Sequence, residues 1–268
     1  MVESFRRITA MFIRHLYLHQ RSVTRSLELF FWPVMELLVW GFVSLYIQTI
    51  SPGGVAQIIV FLINSIIFWD ILYRSQQGVS VSFVEEVWTR NILNLLISPL
   101  KIWEWLAAIF LYGAVKTAAI TVILAVLAAT FYHFDLIGAM GFYLLPLAAS
   151  LLLFGWTLGI VTSGLLIRWG HAAEALIWGV PFLIQPLSAI YYPLSVLPAS
   201  LQAVSRLIPS TYVFEGMRSV IQTGQMPWDY FFISMALNVL YFLAGTWFFQ
   251  VMYRRARVTG RLGRLGMD

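Results

Sequence analysis

The sequence predicts an all-α integral membrane protein in which residues 1–268 form a single transmembrane domain of six helices. Two properties of the composition lead to this class: 60% of the residues are hydrophobic, and only 11% are charged, less than half of the roughly 25% typical of soluble domains. Six spans of about 20 apolar residues each, with their connections, use most of the chain. Little is left for a soluble enzyme domain, which needs about 100 residues.

Stretches that lack Asp, Glu, Lys and Arg show where the bilayer can lie, because an ionised side chain at mid-membrane costs at least about 2–3 kcal/mol. The longest stretch is divided by the turn sequence Ser-Pro-Gly-Gly at 51–54. In the fifth span, Pro181 and Pro186 are expected to bend the helix. The predicted spans are 29–50, 55–76, 105–132, 141–167, 172–193 and 229–252.

The segment before the first span, 1–27, has the pattern of an amphipathic helix. At about 100° per residue, apolar side chains form one stripe and arginines occupy the opposite side. We expect this helix to lie flat at the cytoplasmic membrane surface, with its arginines toward lipid phosphate. A mitochondrial presequence is the alternative interpretation. The stripe consists of Phe5, Ile8, Phe12, Leu16 and Val23, and the opposite side carries Arg7, Arg14, Arg21 and Arg25.

The basic residues predict the orientation in the membrane. Of the 17 Lys and Arg residues, 14 fall in segments that share a side with the N-terminus, including the tail 253–268. Because basic residues concentrate on the cytoplasmic side, both termini of this multi-pass protein are expected in the cytoplasm. The net charge of +5 therefore indicates sidedness, and no nucleic-acid partner is expected.

The connection at 77–104 is the longest predicted cytoplasmic loop. Its apolar and charged residues have helical spacing, and the pattern ends near Pro99, which indicates a short amphipathic helix. An aromatic residue flanked by charges is common in docking surfaces, so we interpret this helix as a docking element for a cytosolic partner. An interfacial helix that merely closes the bundle is the alternative. The polar side of the pattern includes Glu85, Glu86, Arg90 and Asn94, and the apolar side includes Val84, Trp88, Leu95 and Leu96.

The predicted outer connection, 194–228, contains two stretches of helical spacing, 199–207 and 211–223, each too short to cross a bilayer. Half-helices that re-enter the membrane or lie on its surface fit this length. Irregular backbone at membrane depth needs protein or a water-filled cavity around it, so we place this segment beside a translocation path or its outer gate. Glu215 and Arg218 are spaced to pair, and a purely structural ion pair is the alternative role.

Few charges fall inside the predicted spans. Glu36 and Lys116 lie at depths of about 12 and 18 Å from the inner face, which predicts a buried ion pair between the first and third spans. Asp70 precedes Arg74 by four residues and is expected to form a local pair. Polar or aromatic residues are candidates for a translocation path, although most aromatics in such a chain pack or lie at the interface. The candidates are Gln48, Asn64, Trp69, Gln185 and Tyr191.

Several function classes are excluded. The chain has no cysteine, and it contains neither His-Glu-x-x-His nor Gly-x-Ser-x-Gly, so we expect neither an enzyme nor a metal site. A phosphate-binding P-loop needs Gly before its lysine, whereas Lys101 and Lys116 follow Leu100 and Val115. Any ATPase that powers transport must be a separate polypeptide.

Two runs of sequence resemble the permeases of ATP-binding-cassette (ABC) type-2 exporters. The first, from Glu85 to Leu100, contains Arg90-Asn91 and ends in Ser98-Pro99-Leu100, and it is similar to the cytoplasmic loop of that family. The second is similar to the family's outer half-helix signature. It consists of Tyr192-Pro193-Leu194-Ser195-Val196-Leu197-Pro198, Leu201-Gln202, Pro209-Ser210-Thr211 and Glu215-Gly216-Met217-Arg218.

The resemblance implies an exporter of polysaccharides, lipids or drugs, built from two copies of this permease and two cytosolic ATPase subunits that bind ATP and Mg. It implies that this chain binds no cofactor of its own and that it contacts membrane lipid. An ion-coupled secondary transporter is the alternative, and it would normally show paired carboxylates or internal repeats near mid-membrane. The implied ATPase-coupling residues are Glu85, Glu86, Trp88, Arg90 and Asn91, and the implied outer-gate residues are Pro209, Glu215 and Arg218.

Overall fold

The computed structural model of the protein describes residues 2–50 and 56–260, and within these ranges the chain forms helices and turns with no strand. The predicted turn at 51–54 and the last part of the basic tail, 261–268, lie outside the described residues. The helices are α1 Val2–Gln20, α2 Val23–Ile50, α3 Ala56–Trp88, α4 Ile92–Ile97, α5 Ile102–Tyr132, α6 Leu136–Met140, α7 Leu144–Trp169, α8 Glu174–Ile184, α9 Ala199–Ser205, α10 Pro209–Thr223 and α11 Trp228–Val258. Single 3₁₀ turns occupy Gly141–Tyr143, Gly170–Ala173, Pro186–Ser188 and Leu194–Val196.

Within the described residues, four helical segments are long and apolar enough to cross a membrane, which confirms the all-α class and the membrane character. A helix satisfies its own backbone hydrogen bonds, so it is stable in hydrocarbon when its side chains are apolar. The third segment contains both α7 and α8. The two helices are separated at Gly170, whose φ of +61° ends α7. The four segments are Phe30–Ile47, Ile102–Tyr132, Leu136–Ser188 and Trp228–Val258.

The centre of the bundle is α3, which packs against α7, α5 and α2, while α11 packs on the other side of α7. Two buried apolar clusters divide the bundle along its length. The first half of α3 joins the second half of α5 and the first half of α7 in one cluster, and the remaining halves meet in the other. Helix α5 therefore runs antiparallel to α3 and to α7, and α3 and α7 run parallel to each other. The first cluster includes Phe68, Leu124 and Leu151, and the second includes Val84, Ile109 and Ile167.

Helix α1 and the last turns of α11 contribute to the same apolar cluster, through Met11 on α1 and through Met252 and Ala256 on α11. The described starts and ends of the chain therefore lie at one end of the bundle. Helix α10 instead packs into the other cluster, through Val213 and Phe214. This places the two expected half-helices and α1 at opposite ends.

The expected helix of the loop 77–104 is wrong in its position. Residues 77–88 continue α3, because Val79, Phe83 and Val87 lie on the buried side of the helix and pack into the second cluster. The helix ends where Arg90 adopts φ of +53°, and only the six residues of α4 form a separate helix. Glu85, Glu86 and Trp88 consequently lie on the last turn of the central helix.

The helix expected over 172–193 is also shorter than predicted. Helix α8 has 11 residues and ends at Ile184, after which Pro186 starts a 3₁₀ turn and Ala189 takes φ of +53°. Proline lacks the N–H that a continuing helix requires, which explains this end. By contrast, α9 and α10 lie within two residues of the expected helices 199–207 and 211–223.

Candidate functional site

The end of α3 is fastened to α1 through Glu86. This carboxylate is 2% exposed, and it receives both terminal nitrogens of the Arg14 guanidinium, with Nη2 donating to Oε2 over 3.1 Å. The side-chain amide of Asn91 donates to the same Oε2 over 2.6 Å. Glu86 and Asn91 therefore hold the turn after α3 in place, and Glu86 is not positioned to contact a partner as expected.

A second buried carboxylate fastens α1 to the start of α5. Glu104 is fully buried, its Oε2 accepts the backbone N–H of Lys101 over 2.9 Å, and its Oε1 lies 3.6 Å from the Arg7 guanidinium. The expectation that Arg7 and Arg14 face lipid phosphate is thus wrong. Arg14 pairs with Glu86, and Arg7 lies between Glu104 and the exposed Glu3 of its own helix, to which it donates over 3.2 Å. A buried carboxylate is stable only when it is paired or hydrogen-bonded. Phe5, on the expected apolar stripe, is exposed.

Directly after Arg14, α1 makes an aromatic contact with α5. The imidazole of His15 stacks on Tyr112 with ring centroids 5.3 Å apart, and the Lys116 ammonium lies 5.2 Å from the same ring. Burial lowers the pKa of His15 to about 4. His15 is therefore neutral at pH 7 and acts as a packing residue of the α1–α5 contact.

The turn Trp88–Thr89–Arg90 is the exposed part of this region. The Trp88 side chain is 52% exposed, yet its indole N–H donates to Glu174 Oε1 over 2.8 Å, and His171 Nδ1 bonds to the same oxygen. The left-handed backbone at Arg90 directs the chain sharply away from α3. Glu85 is half-buried on the preceding turn. An exposed aromatic and an exposed guanidinium thus stand together at the tip of the central helix, and Trp88 also connects that tip to the start of α8.

Inside the membrane region, charged side chains of α2 and α3 lie together. Arg74 Nε donates to Asp70 Oδ1 over 3.0 Å, so the local pair forms as expected. Glu36 on α2 has Asp70 and Arg74 as its charged neighbours. The Lys116 ammonium instead lies 5.2 Å from the centre of the Tyr112 ring, so the expected pair between Glu36 and Lys116 stays a prediction.

The four path candidates whose side chains the structure describes do not share one surface. Asn64 is fully buried, and its side-chain amide donates to the Val60 carbonyl over 2.9 Å. Trp69 is 2% exposed. Both belong to the core. The side chain of the fifth candidate, Gln48, lies outside the described residues.

Gln185 and Tyr191 are half-buried and interact at the surface of the bundle. The Gln185 amide lies 3.4 Å from the Tyr191 hydroxyl, and Tyr191 stacks on Trp40 of α2 with ring centroids 5.4 Å apart. Glu36 is one helical turn from Trp40. We call Glu36, Trp40, Gln185 and Tyr191 the α2–α8 surface, which presents polar and aromatic groups beside the Asp70–Arg74 pair.

At the opposite end from α1, Arg218 of α10 organises the chain that follows α8. It pairs with Glu215, and its Nη2 donates to the carbonyl oxygens of Ala189 over 3.1 Å and Tyr192 over 2.9 Å. Glu215 in turn accepts the backbone N–H of Leu194 over 2.8 Å. The guanidinium lies 4.5 Å from the centre of the Phe61 ring on α3. One residue pair thus satisfies the irregular backbone after α8 and attaches it to the central helix.

Hydroxyl groups support the same junction. Ser65 of α3 donates to the Ile190 carbonyl over 2.9 Å, and the hydroxyls of Ser188 and Ser210 lie 2.7 Å apart. The Pro209 carbonyl, in the first turn of α10, accepts the Ser234 hydroxyl over 2.9 Å. The hydroxyls of Ser65 and Ser234 therefore bind this segment to α3 and to α11.

Four functional candidates were not predicted: Arg14, Glu104, Glu174 and Trp40. Their partners are 72 or more residues away or on another helix, so spacing along one helix gives no signal for them. One signal was available for Arg14, which sits seven residues after Arg7 and thus on the same helical face, ready to meet two carboxylates of one partner. Among the described residues, no group of three or more His, Asp or Glu side chains suits a metal ion.

Comparisons with known proteins do not identify the family of this chain. No protein-family model matches the sequence, and a search of curated proteins gives no significant match.

Proposed function

We propose that this chain is the permease subunit of an ATP-driven ABC type-2 exporter, with six membrane spans and both termini in the cytoplasm of a bacterium. The observation that supports this most directly is the exposed Trp88–Arg90 turn at the tip of α3. This helix has 33 residues and is about 50 Å long, enough to cross the bilayer and extend beyond it. A partner that moves the turn would move the central helix of the bundle.

The proposed spans are α2, α3, α5, α7, α8 with the turn that follows it, and α11. The N-terminal helix α1 lies at the cytoplasmic surface, since Arg14 joins it to Glu86 just before the Trp88–Arg90 turn and Phe5 is presented outward. Glu86 and Asn91 position the turn, while Trp88, Arg90 and the neighbouring Glu85 meet the ATPase. Helices α9 and α10 form the outer half-helix segment.

Coupling follows the hydrogen bonds already described. Trp88 joins the tip of α3 to Glu174 at the start of α8, and Ser65 joins the far half of α3 to the backbone after α8. A push on the turn therefore reaches both ends of the α2–α8 surface. Arg218, Glu215 and Pro209 act at the outer gate, because they hold the chain that would have to move for the path to open.

The transport path lies between two copies of the chain. Exposed aromatic side chains on α2 and α8, such as Trp32 and Phe182, form a face that a second copy would cover. The α2–α8 surface then contributes Gln185 and Tyr191 from each copy. Polar and aromatic groups together suit an amphiphilic substrate such as a polysaccharide, lipid or drug.

Co-purification tests the proposal. Tagged full-length permease is expressed with a candidate ABC ATPase subunit from the same organism, and the amount of ATPase recovered per permease is measured. Because Trp88 and Arg90 provide the exposed contact, Trp88→Ala with Arg90→Ala should reduce recovery at least about tenfold, as loss of a hot-spot residue costs at least about 1.4 kcal/mol. The double variant should still elute as a single folded species.

The matched control replaces an exposed Trp and Arg at the other end of the bundle, Trp228→Ala with Arg206→Ala, and should retain the ATPase. Equal loss in both variants would contradict the proposed contact. A chain that purifies alone and transports in proteoliposomes without ATP would contradict the exporter assignment.

An ion-coupled secondary transporter is the second candidate, and the proximity of two carboxylates, Glu36 and Asp70, favours it. In that case an imposed ion gradient drives transport without ATP, and Glu36→Gln abolishes it. Under the exporter proposal, Glu36→Gln leaves the ATP requirement unchanged.

A further inference from the structure

A cavity of about 750 Å³ lies between the ends of α7 and α11, and none of its lining residues belongs to the Trp88–Arg90 turn or to the α2–α8 surface. Its floor consists of the buried apolar side chains Ile167, Met252 and Ala256. Its walls carry the exposed residues Arg168, Trp169, Arg254, Arg255, Val258 and Thr259. The cavity thus combines an apolar base with a cationic rim.

The cavity lies where the membrane surface meets two of the apolar helices. Helix α7 ends at Trp169 and α11 ends at Val258, and both segments are long and apolar enough to cross a membrane. Trp169 is 54% exposed, and tryptophan concentrates at the level of lipid head groups. Hydrocarbon is therefore on one side of the cavity and head groups are on the other.

The two halves of the lining match the two halves of a phospholipid. Guanidinium groups bind phosphate through paired N–H donors, and the rim provides three of them. The apolar floor can hold the glycerol backbone and the first methylene groups of an acyl chain, which a free phosphate ion would leave uncovered. An anionic head group also gains from the surplus positive charge of the rim.

We propose that this cavity binds an anionic phospholipid from the membrane leaflet next to it. The bound lipid joins the last turn of α7 to the last turns of α11 and stabilises their packing. Lipid binding at this site requires neither an ATPase nor a transport path, so it can be tested independently of the exporter proposal.

Native mass spectrometry of the full chain in detergent micelles tests the site. Phosphatidylglycerol and phosphatidylcholine with the same short acyl chains are titrated, and the lipid bound per protein is counted. We expect phosphatidylglycerol to bind more tightly, and we expect Arg254→Gln and Arg255→Gln each to weaken it about fivefold, the factor for one arginine near an anionic surface. Phosphatidylcholine affinity should change less than twofold.

The matched control is Arg257→Gln, because Arg257 is exposed on the same helix but does not line the cavity, and it should retain wild-type affinity. Ala256→Leu fills the floor of the cavity and leaves the charges intact, so it should also lose affinity for phosphatidylglycerol. If the Ala256→Leu variant misfolds, the Arg254→Gln and Arg255→Gln variants still test the site. Equal weakening by Arg257→Gln, or equal binding of the two lipids, would overturn the proposal. Displacement of the lipid by inorganic phosphate at millimolar concentration would also overturn it. So would binding of a cytosolic protein, and not of lipid, to this cavity.

Discussion

At the scale of single residues, two buried carboxylates determine how the N-terminal helix sits. Removing an ionised carboxylate from water costs several kcal/mol, and the cost is offset only by an opposite charge with further hydrogen bonds. Glu86 obtains both from Arg14 and Asn91, and Glu104 obtains them from Arg7 and the Lys101 backbone. The attachment of α1 therefore combines these ion pairs with the apolar contact of Met11 and the stacking of His15 on Tyr112.

Replacing Arg14 tests this attachment. Arg14→Ala leaves the Glu86 carboxylate buried with one amide donor. Because the Arg14 side chain is 34% exposed, water screens part of the interaction, so we expect a loss of about 2 kcal/mol of unfolding free energy, below the 3–5 kcal/mol of fully buried pairs. Denaturant unfolding of the purified protein in detergent micelles measures it.

The control is Arg6→Ala, an exposed arginine of the same helix, which should change the unfolding free energy by less than about 0.5 kcal/mol. Glu86→Gln combined with Arg14→Ala should recover part of the loss, because the double variant no longer buries a charge. A double variant less stable than Arg14→Ala would show that charge burial is not the cause.

At the scale of elements, the position of the helix ends decides what each residue can contact. Helix α3 runs on past the predicted membrane boundary because its buried face continues to Val87, and it stops where Arg90 takes a left-handed conformation. That conformation costs a residue with a side chain roughly 1 kcal/mol, and it costs glycine little. The strain is retained at the exposed turn that we assign to the ATPase contact.

Arg90→Gly separates the two roles of this residue. Relief of the left-handed backbone should raise the unfolding free energy by about 0.5–1 kcal/mol, while loss of the guanidinium weakens recovery of the ATPase. Thermal unfolding and co-purification on the same preparation measure both effects. Arg6→Gly, at an exposed helical position inside α1, should instead lower stability by about 0.5–1 kcal/mol. If both glycines changed stability in the same direction, backbone strain at Arg90 would not be the explanation.

At the scale of the whole molecule, the bundle depends on the close approach of α3 and α7. Gly155 of α7 faces the Leu72 carbonyl and the Ser75 hydroxyl, and Gly159 faces Val79 one turn further along. Small residues allow two helices to come together in a membrane, where packing and interhelical hydrogen bonds replace the hydrophobic effect as the driving force. Because α11 packs on the far side of α7, any separation of α3 from α7 would also displace α11.

Gly155→Ala tests this packing. The added methyl group would overlap the Ser75 hydroxyl and the Leu72 carbonyl, so α7 must shift, at a cost of about 1–3 kcal/mol. Thermal unfolding in detergent and the monodispersity of the purified protein measure the effect. Gly179→Ala on α8 is the control, since no atom lies within 4 Å of the added methyl group, and it should be neutral or stabilising. Equal stability of the two variants would argue against close α3–α7 packing.

The predicted features that agree with the structure are local ones. The Asp70–Arg74 and Glu215–Arg218 pairs lie within one turn of a helix, and the helices at 199–207 and 211–223 follow from short-range spacing with proline at their starts. The Glu36–Lys116 pair was inferred from depth alone. Depth does not specify which side of a helix a residue faces, so this pair stays a prediction.

By itself the sequence determined the helical class and the membrane character, because apolar content and helix length decide whether a segment is stable in hydrocarbon. Only the tertiary structure decided which residues are buried at the end of α3, since the position of Glu86 depends on Arg14, 72 residues earlier in the chain. It also decided that Trp69 and Asn64 belong to the core while Tyr191 lies at the surface. Burial depends on which helices meet, and their meeting is governed by contacts between residues far apart in the chain.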